Sequence, residues 1–374
     1  MRILVLGKYY PPYRGGIETL TRDWCEGFVG RGGTVTCVVA HDRPRTVVEH
    51  CQGVRLERCA RYGTVLSTAL CPRYLAAARR PADLIQLHFP NPLADLAMVL
   101  GRRHVPLVVT YHSDIVRQAA FLRLYRPLLN WLLRRADRIV VATPPQLAQA
   151  TALRPYLSKC LIVPFGVDPA RFAAPAAVSD RVRQARAEAG SRTVLLNVGR
   201  LVPYKGQRYL IEALRSLDAV VWLVGSGPLR AELSALAESL GVADRVRFWG
   251  EVEDAELPAF LQMCDLFVLP SITPNEAFGI VQLEAMACGR PVVSCQLPSG
   301  VPYVNQDGVT GLVVPPADSR ALAAALGRLA ADPGLCTRLG EGGGRRLRDE
   351  FSLDRMVERY WNLFRQLTEA PRAA

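Results

Sequence analysis

With 374 residues, half of them hydrophobic, the chain can supply two domains of ordinary size, each burying its own core. No run of about 18 uncharged apolar residues occurs, which excludes a membrane-spanning helix. Ten cysteines are scattered from Cys25 to Cys336 with neither a C-x-x-C pair nor zinc-type spacing, which argues against a disulfide framework or structural metal and for reduced thiols in the cytoplasm.

The formal net charge of +12 is unevenly spread. Residues 1–168 hold 23 Lys and Arg against 11 Asp and Glu, whereas residues 169–374 hold 23 of each. A basic first half draws in polyanions such as acidic lipid, diphosphates or nucleic acid, although an Arg-rich composition that only keeps the surface soluble gives the same count.

The first apolar run, Arg2 to Gly7, is too short for a signal-peptide core and reads as a strand. Similar runs follow at Thr34 to Ala40, Asp83 to His88, Pro106 to His112, Arg138 to Ala142 and Leu161 to Pro164. Between them Ile17, Leu20, Trp24 and Phe28 recur at helical spacing, as do Leu122, Leu128, Leu129, Leu132 and Leu133. Strand and helix alternating in this way predict a parallel sheet covered on both faces, with ligands bound beyond the strands' C-terminal ends.

Three features of this half bear on chemistry. The loop from Lys8 to Gly16 closes on Gly15-Gly16 before a helix opening at Ile17-Glu18, which suits either a plain turn or close approach of backbone to an anion. It is not the G-x-G-x-x-G fingerprint of a nicotinamide site. His112, in His112-Ser113-Asp114, ends a strand where site residues gather, although a lone histidine also serves structural ends. The segment Phe121 to Arg138 mixes arginines with leucines and aromatics; it can lie on an anionic membrane or form a surface helix with its leucines in the core.

The pattern loosens at Val163 to Asp168, and Pro169 to Ser191 is rich in Ala and Pro, which places a domain boundary there. A second alternating series has runs at Val194 to Val198, Ala219 to Val224, Val246 to Phe248, Leu266 to Leu269, Val292-Val293 and Leu312 to Val314. The expected division is therefore residues 1–168, 169–350 and a terminal helix, 351–374. After the first run come Gly199-Arg200 and Lys205-Gly206, two cations five positions apart before a helix, suited to a diphosphate through an Arg fork and a Lys point charge. Lys205 is one of only three lysines among 46 basic residues, which hints at a site requirement. Gly225 to Pro228 is a close-approach turn or a plain one, and Trp249 to Val252 can line a base pocket.

In Pro270 to Val293, Glu276 and Glu284 stand eight positions apart around an apolar pattern of Ile280, Val281, Leu283, Met286 and Ala287. With helical rise they would lie about 12 Å apart along the axis, the two ends of one extended ligand. Loop N–H groups and the helix dipole between them would favour phosphate.

Together these residues resemble the retaining nucleotide-sugar glycosyltransferases of the large fourth family, with the double-Rossmann GT-B fold, an α/β architecture of two doubly wound domains facing a central cleft. The likeness rests on GGIE at Gly15 to Glu18, GRLVPYKG at Gly199 to Gly206, VGSGP at Val224 to Pro228, and E-x7-E from Glu276 to Glu284. The resemblance implies that Arg200 and Lys205 hold the donor diphosphate and that Glu276 binds hydroxyls of the donor sugar, helped by backbone around Phe278, Gly279, Ile280 and Val281. It implies further that Glu284 binds the ribose, His112 lies over the sugar, and Gly15, Gly16, Gly225 and Val252 line the donor site.

The family works without a metal or other cofactor, and the sequence has no Asp-x-Asp signature. Retention would proceed by front-face attack with the leaving phosphate taking the acceptor's proton, so no protein nucleophile is required. The apolar face of Met356, Val357, Tyr360, Trp361 and Phe364 would cross back onto the N-terminal domain. A weaker likeness around IVQLEAM and Leu297 to Pro302 points to transfer of mannose, from a donor such as GDP-mannose, to lipid-linked surface polysaccharide. The expected partners are then a nucleotide sugar, a lipid-linked or glycan acceptor and an anionic membrane touched peripherally from the cytoplasm, with no nucleic acid. Three rivals are a nucleotide-sugar epimerase on the same fold, a phosphorylase with Lys205 as its only candidate cofactor lysine, and a basic membrane- or nucleic-acid-binding module, which leaves Glu276 and Glu284 without a role.

Overall fold

The computed structural model describes residues 1–13, 15–65, 68–101, 105–113, 119–173 and 176–369, with backbone alone at 119–124 and 173. Arg14, Asp114 and the side chains of 121–124, all within segments singled out in the sequence, lie outside the described residues. The chain divides into two compact units, one of Met1–Phe165 with Leu353–Ala374 and the other Gly166–Ser352.

Strands of the first unit are β1 (Arg2–Leu6), β2 (Thr34–Ala40), β3 (Val47–Cys51), β4 (Val54–Cys59), β5 (Thr64–Val65), β6 (Thr68–Ala69), β7 (Leu84–Phe89), β8 (Leu107–Tyr111), β9 (Arg138–Val141) and β10 (Cys160–Ile162). Eight of them form one sheet in the order β10-β9-β8-β7-β1-β2-β4-β3. Every pairing is parallel except β3 on β4, and β5 with β6 makes a separate small ribbon. The apolar-run pattern misses β3 to β6: β3 is an edge strand, alternately exposed, that needs apolar residues on only one face, charged residues Arg55, Glu57 and Arg58 interrupt β4, and β5 and β6 have two residues each. The central strands β7 and β8 are buried throughout, as parallel strands covered on both faces must be.

Helix Gly16–Gly30 buries Leu20, Trp24, Cys25 and Phe28. Against it lies helix Leu353–Glu369, burying Met356, Val357, Tyr360, Leu363 and Phe364. Gly27 makes that approach feasible, since a Cβ there would stand 2.5 Å from Val357 Cγ2. Helix Ala119–Arg135 is a surface helix with leucines in the core. Leu129, Leu132 and Leu133 enter the core, while Arg126, Trp131 and Arg134 remain exposed.

The second unit contains β11 (Thr193–Val198), β12 (Ala219–Val224), β13 (Val246–Gly250), β14 (Leu266–Leu269), β15 (Val292–Cys295) and β16 (Gly311–Val314). All are parallel, in the order β13-β12-β11-β14-β15-β16. This is the Rossmann order, in which successive connections leave in opposite directions from the β11/β14 boundary and open a crevice at the C-terminal ends of those two strands.

Candidate active site

The loops leaving β11 and β14 meet at that boundary. Lys205 Nζ lies 2.6 Å from Glu276 Oε2, with the two side chains only 12 % and 10 % exposed. Ser271 Oγ donates to the same carboxylate oxygen at 2.8 Å. Glu276 is therefore held by a charge and a hydroxyl, while its own backbone N–H donates to Thr273 O.

The two loops are also joined by backbone. Ile272 N–H donates to Tyr204 O at 2.9 Å. Gly206 takes φ +67°, and a Cβ on it would stand 2.1 Å from Pro270 O, so only glycine lets the strands' ends come this close. Beneath them lies a buried amide pair. Asn197 Nδ2 donates to Val268 O at 2.9 Å, and Gln207 Nε2 donates to both Asn197 Oδ1 and Arg200 O, at 3.3 and 3.1 Å. This fixes the turn that carries Arg200.

Arg200 itself is exposed, and its side chain has no ion pair or hydrogen bond among the described residues. The Lys205 ammonium packs against Gly199, where a Cβ would stand 3.3 Å from Nζ. A paired cation and an unpaired one thus border the same turn. Gly225 adds the third side. Its N–H donates to Gly250 O at 2.7 Å, and a Cβ on it would lie 2.2 Å from Gly199 O. The ends of β11, β12 and β13 are drawn together in this way, with half-buried Val252 two residues beyond β13.

One expectation fails. The helix after β14 is Val281–Ala287, seven residues long, and only Glu284 lies within it. Gly279 adopts φ +71°, in the left-handed region, so Glu276 to Ile280 is loop, and helical rise cannot convert eight positions into a 12 Å separation. A Cβ at Gly279 would approach Leu269 Cδ2 and Gln282 Nε2 to 2.7 Å each. Gln282, fully buried, donates its amide to Phe278 O at 2.9 Å and so shapes the turn. Phe278 is buried against Phe351, while Ile280, Val281 and Glu284 are half-buried.

The remaining expected site residues belong to the first unit, at the C-terminal edge of its own sheet. Gly15 is exposed and Gly16 opens helix Gly16–Gly30. Nearby, burial raises the Glu18 carboxyl pKa against the opposing pull of Lys8. His112 follows β8 and is buried, its backbone N–H donating to Phe89 O and its carbonyl accepting from Gln146 Nε2 at 2.8 Å. Its Nε2 lies 3.1 Å from Nδ1 of His88, a buried residue of β7. Burial lowers both imidazoles, His112 to about 4 and His88 well below the ordinary range, with His112 also contributing to the latter.

Sequence reasoning missed Asn197, Gln207, Ser271 and His88. The available signal was a polar residue interrupting or bordering an apolar run, as in Leu195-Leu196-Asn197-Val198 and Leu87-His88-Phe89. What each one touches depends on the neighbouring strand, which no single run reveals.

Comparison with known proteins agrees with this architecture. Residues 178–346 match the family model "Glycosyl transferases group 1", and residues 14–171 match "Glycosyltransferase Family 4". D-rhamnosyltransferase WbpZ of Pseudomonas aeruginosa is 38 % identical over 94 % of this chain and 92 % of its own. O-antigen chain mannosyltransferase C of Escherichia coli is 33 % identical over 99 % and 100 %. Among solved structures, sucrose-phosphate synthase from Thermosynechococcus elongatus superposes with a TM-score of 0.81 at 25 % identity, over 99 % of this chain and 100 % of its own. With two Rossmann-type units and a full-length match to such relatives, the chain belongs to the group 1, family 4 glycosyltransferases and has the GT-B fold.

Proposed function

We propose that the protein transfers mannose or a related hexose, with retention, from a nucleoside-diphosphate sugar to a lipid-linked glycan of a surface polysaccharide. The observation that carries this reading is the Lys205–Glu276 pair beside exposed Arg200 at the β11/β14 switch point. Breaking a bond to a nucleoside diphosphate leaves a dianion and an oxocarbenium-like sugar, so the site needs fixed positive charge next to oxygen ligands for hydroxyls. Arg200 offers a two-pronged grip on a phosphate that Lys205 can share. Glu276, oriented by Ser271, is suited to accept from sugar hydroxyls. Glu284 would take the ribose, Val252 the base, and the backbone from Phe278 to Val281, with Gly225, Gly15 and Gly16, would allow close approach of the ligand. His112 would hydrogen-bond the sugar.

In this reading the protein supplies the counter-charge itself and uses no metal or other cofactor. The leaving phosphate takes the acceptor's proton, so neither Glu276 nor Glu284 is a nucleophile. Mannose is preferred because the E. coli relative is named a mannosyltransferase of O-antigen chains, and a GDP donor because a relative in Mycolicibacterium smegmatis is named a GDP-mannose-dependent mannosyltransferase.

A lipid-linked acceptor calls for a membrane-facing surface, and one face of the first unit is suited to that. Trp131, Leu157, Leu161 and Ile162 are exposed on adjoining elements, beside Arg126 and Arg134. Lys159 Nζ donates to Arg134 O and Tyr156 OH to Asn130 O, which joins those elements. Among the described residues no helix is long and apolar enough to cross a membrane, so contact would be peripheral, from the cytoplasmic face.

The test is incubation of the purified protein with GDP-mannose and a polyprenyl-diphosphate oligosaccharide, with the anomeric configuration of the product read by NMR. Retained configuration and acceptor-dependent release of GDP are expected. Turnover of the sugar nucleotide without acceptor, or an inverted product, would overturn the reading.

A further inference from the structure

His88 has no role in the reading above, yet its ring meets that of His112. The two rings stack with centroids 5.3 Å apart and 27° between their planes, and the Nδ1 to Nε2 separation of 3.1 Å is a hydrogen bond. Trp24 meets His88 edge-on at 4.9 Å, and Phe165 covers His112 at 5.6 Å. The backbone of His112 is pinned at both its N–H and its carbonyl. Its ring therefore has one polar tether among the described residues, and that tether is His88.

Because burial keeps both rings neutral, one proton lies between them and each ring has one further nitrogen. Those nitrogens, His88 Nε2 and His112 Nδ1, have no partner among the described residues. One of them must carry an N–H and the other a lone pair. Both nitrogens are enclosed, but His88 stands within the fully buried strand β7. His112 stands past the end of β8, on the edge where ligands of such sheets bind. An unpaired buried N–H is the costlier orphan, so the proton belongs at the end where a ligand can accept it.

We propose that His88 is a positioning residue: its Nδ1–H donates to His112 Nε2, and this holds His112 as the Nδ1–H tautomer, a hydrogen-bond donor to a hydroxyl oxygen of the sugar. The use made of that donor rests on the glycosyl-transfer reading; the tautomer does not.

The experiment labels the full-length protein with ¹⁵N-histidine and records long-range ¹H–¹⁵N correlations near neutral pH. The expected result is a protonated Nδ1 and bare Nε2 on His112, against the Nε2–H form that free imidazole side chains favour. His88→Asn places an amide N–H where Nδ1 stands and should preserve that pattern, whereas His88→Phe fills the space without a donor and should return His112 to the Nε2–H form. In transfer from GDP-mannose, His88→Phe should lose about tenfold in kcat/KM, the scale of removing a partner that orients a histidine, with His88→Asn restoring most of it. An Nε2–H tautomer of His112 in the unaltered protein overturns the proposal, as does an unchanged tautomer in His88→Phe. If no variant, nor the parent, transfers from GDP-mannose while the tautomers behave as expected, the donor assignment fails and the role of His88 stands.

Discussion

Lys205 and Glu276 form an ion pair at 2.6 Å, nearly enclosed, across the two loops that open the second sheet's switch point. A pair this buried is costlier to break than to replace, because removing one partner strands the other charge. Lys205→Ala and Glu276→Ala should each destabilise the protein by about 3 kcal/mol. Each should also lower transfer at least about a hundredfold, the usual loss of one electrostatic group at a reacting centre. The double substitution Lys205→Met with Glu276→Gln removes both charges at similar volume. It should recover stability to within about 1 kcal/mol of the parent yet stay inactive. Urea unfolding and turnover assays read the two effects separately. Full activity in a folded Lys205→Ala protein would remove Lys205 from the mechanism.

Gly225 gives a second test, because its restriction is set by backbone. At φ +128° an L side chain is strained, and the Cβ would face Gly199 O at 2.2 Å with no flexible atom to yield. Gly225→Ala should cost of order 1–3 kcal/mol and displace the turn that carries Arg200. In thermal unfolding, added GDP should raise the midpoint of the parent and leave that of Gly225→Ala nearly unmoved. An equal ligand-induced rise in both would show that this turn does not bound the nucleotide site.

The two glycine positions Gly225 and Gly279 show where sequence was informative and where it was not. Buried parallel strands are continuous apolar runs, so the ends of β11, β12 and β14 were legible to within a residue, and with them the loops carrying Arg200, Lys205 and Glu276. The apolar periodicity around Ile280 was real but short, and a left-handed Gly279 halted the helix that the spacing suggested. The contact of Lys205 with Glu276 spans 71 positions, and that of His88 with His112 spans 24. Both depend on which strands lie side by side, information held in the sheet order and absent from any local pattern.

The depressed pKa of His112 makes stability pH-dependent in a definite direction. In the folded protein the ring stays neutral down to about 4, whereas in the unfolded chain it protonates near 6.5. Its contribution is full above about pH 6.5 and is lost as pH falls toward 4, by about 3 kcal/mol in all. His88 acts in the same direction, while the Asp95 carboxyl, raised by burial, acts in the opposite one. The comparison that isolates His112 is therefore with His112→Asn. Denaturant unfolding from pH 7 to 4 should show the parent losing about 3 kcal/mol relative to that variant. Parallel curves would mean that His112 titrates normally in the folded state.

The exposed face of Trp131, Leu157, Leu161 and Ile162 can be tested apart from catalysis. Arg126, Pro127, Asn130, Trp131 and Arg134 line a shallow concavity on helix Ala119–Arg135, in the half of the chain that holds the whole net charge. Two forces would act there. Arginines near an anionic surface each contribute about 1 kcal/mol and weaken as salt shortens the Debye length to about 8 Å at physiological strength. An inserted indole does not depend on salt. Arg126→Glu with Arg134→Glu should abolish sedimentation with phosphatidylglycerol vesicles at low salt, and Trp131→Ala should weaken the fraction that persists at high salt. Binding of the parent to neutral phosphatidylcholine vesicles should be no greater than its salt-resistant fraction on anionic ones, and Trp131→Ala should weaken it equally. Transfer to a short, soluble acceptor analogue should be unchanged in each, because none of these side chains belongs to the loops beyond β11 and β14. Equal binding of the parent to neutral and anionic vesicles would refute an electrostatic anchor, and unchanged sedimentation of the double glutamate variant would move the membrane-facing surface elsewhere.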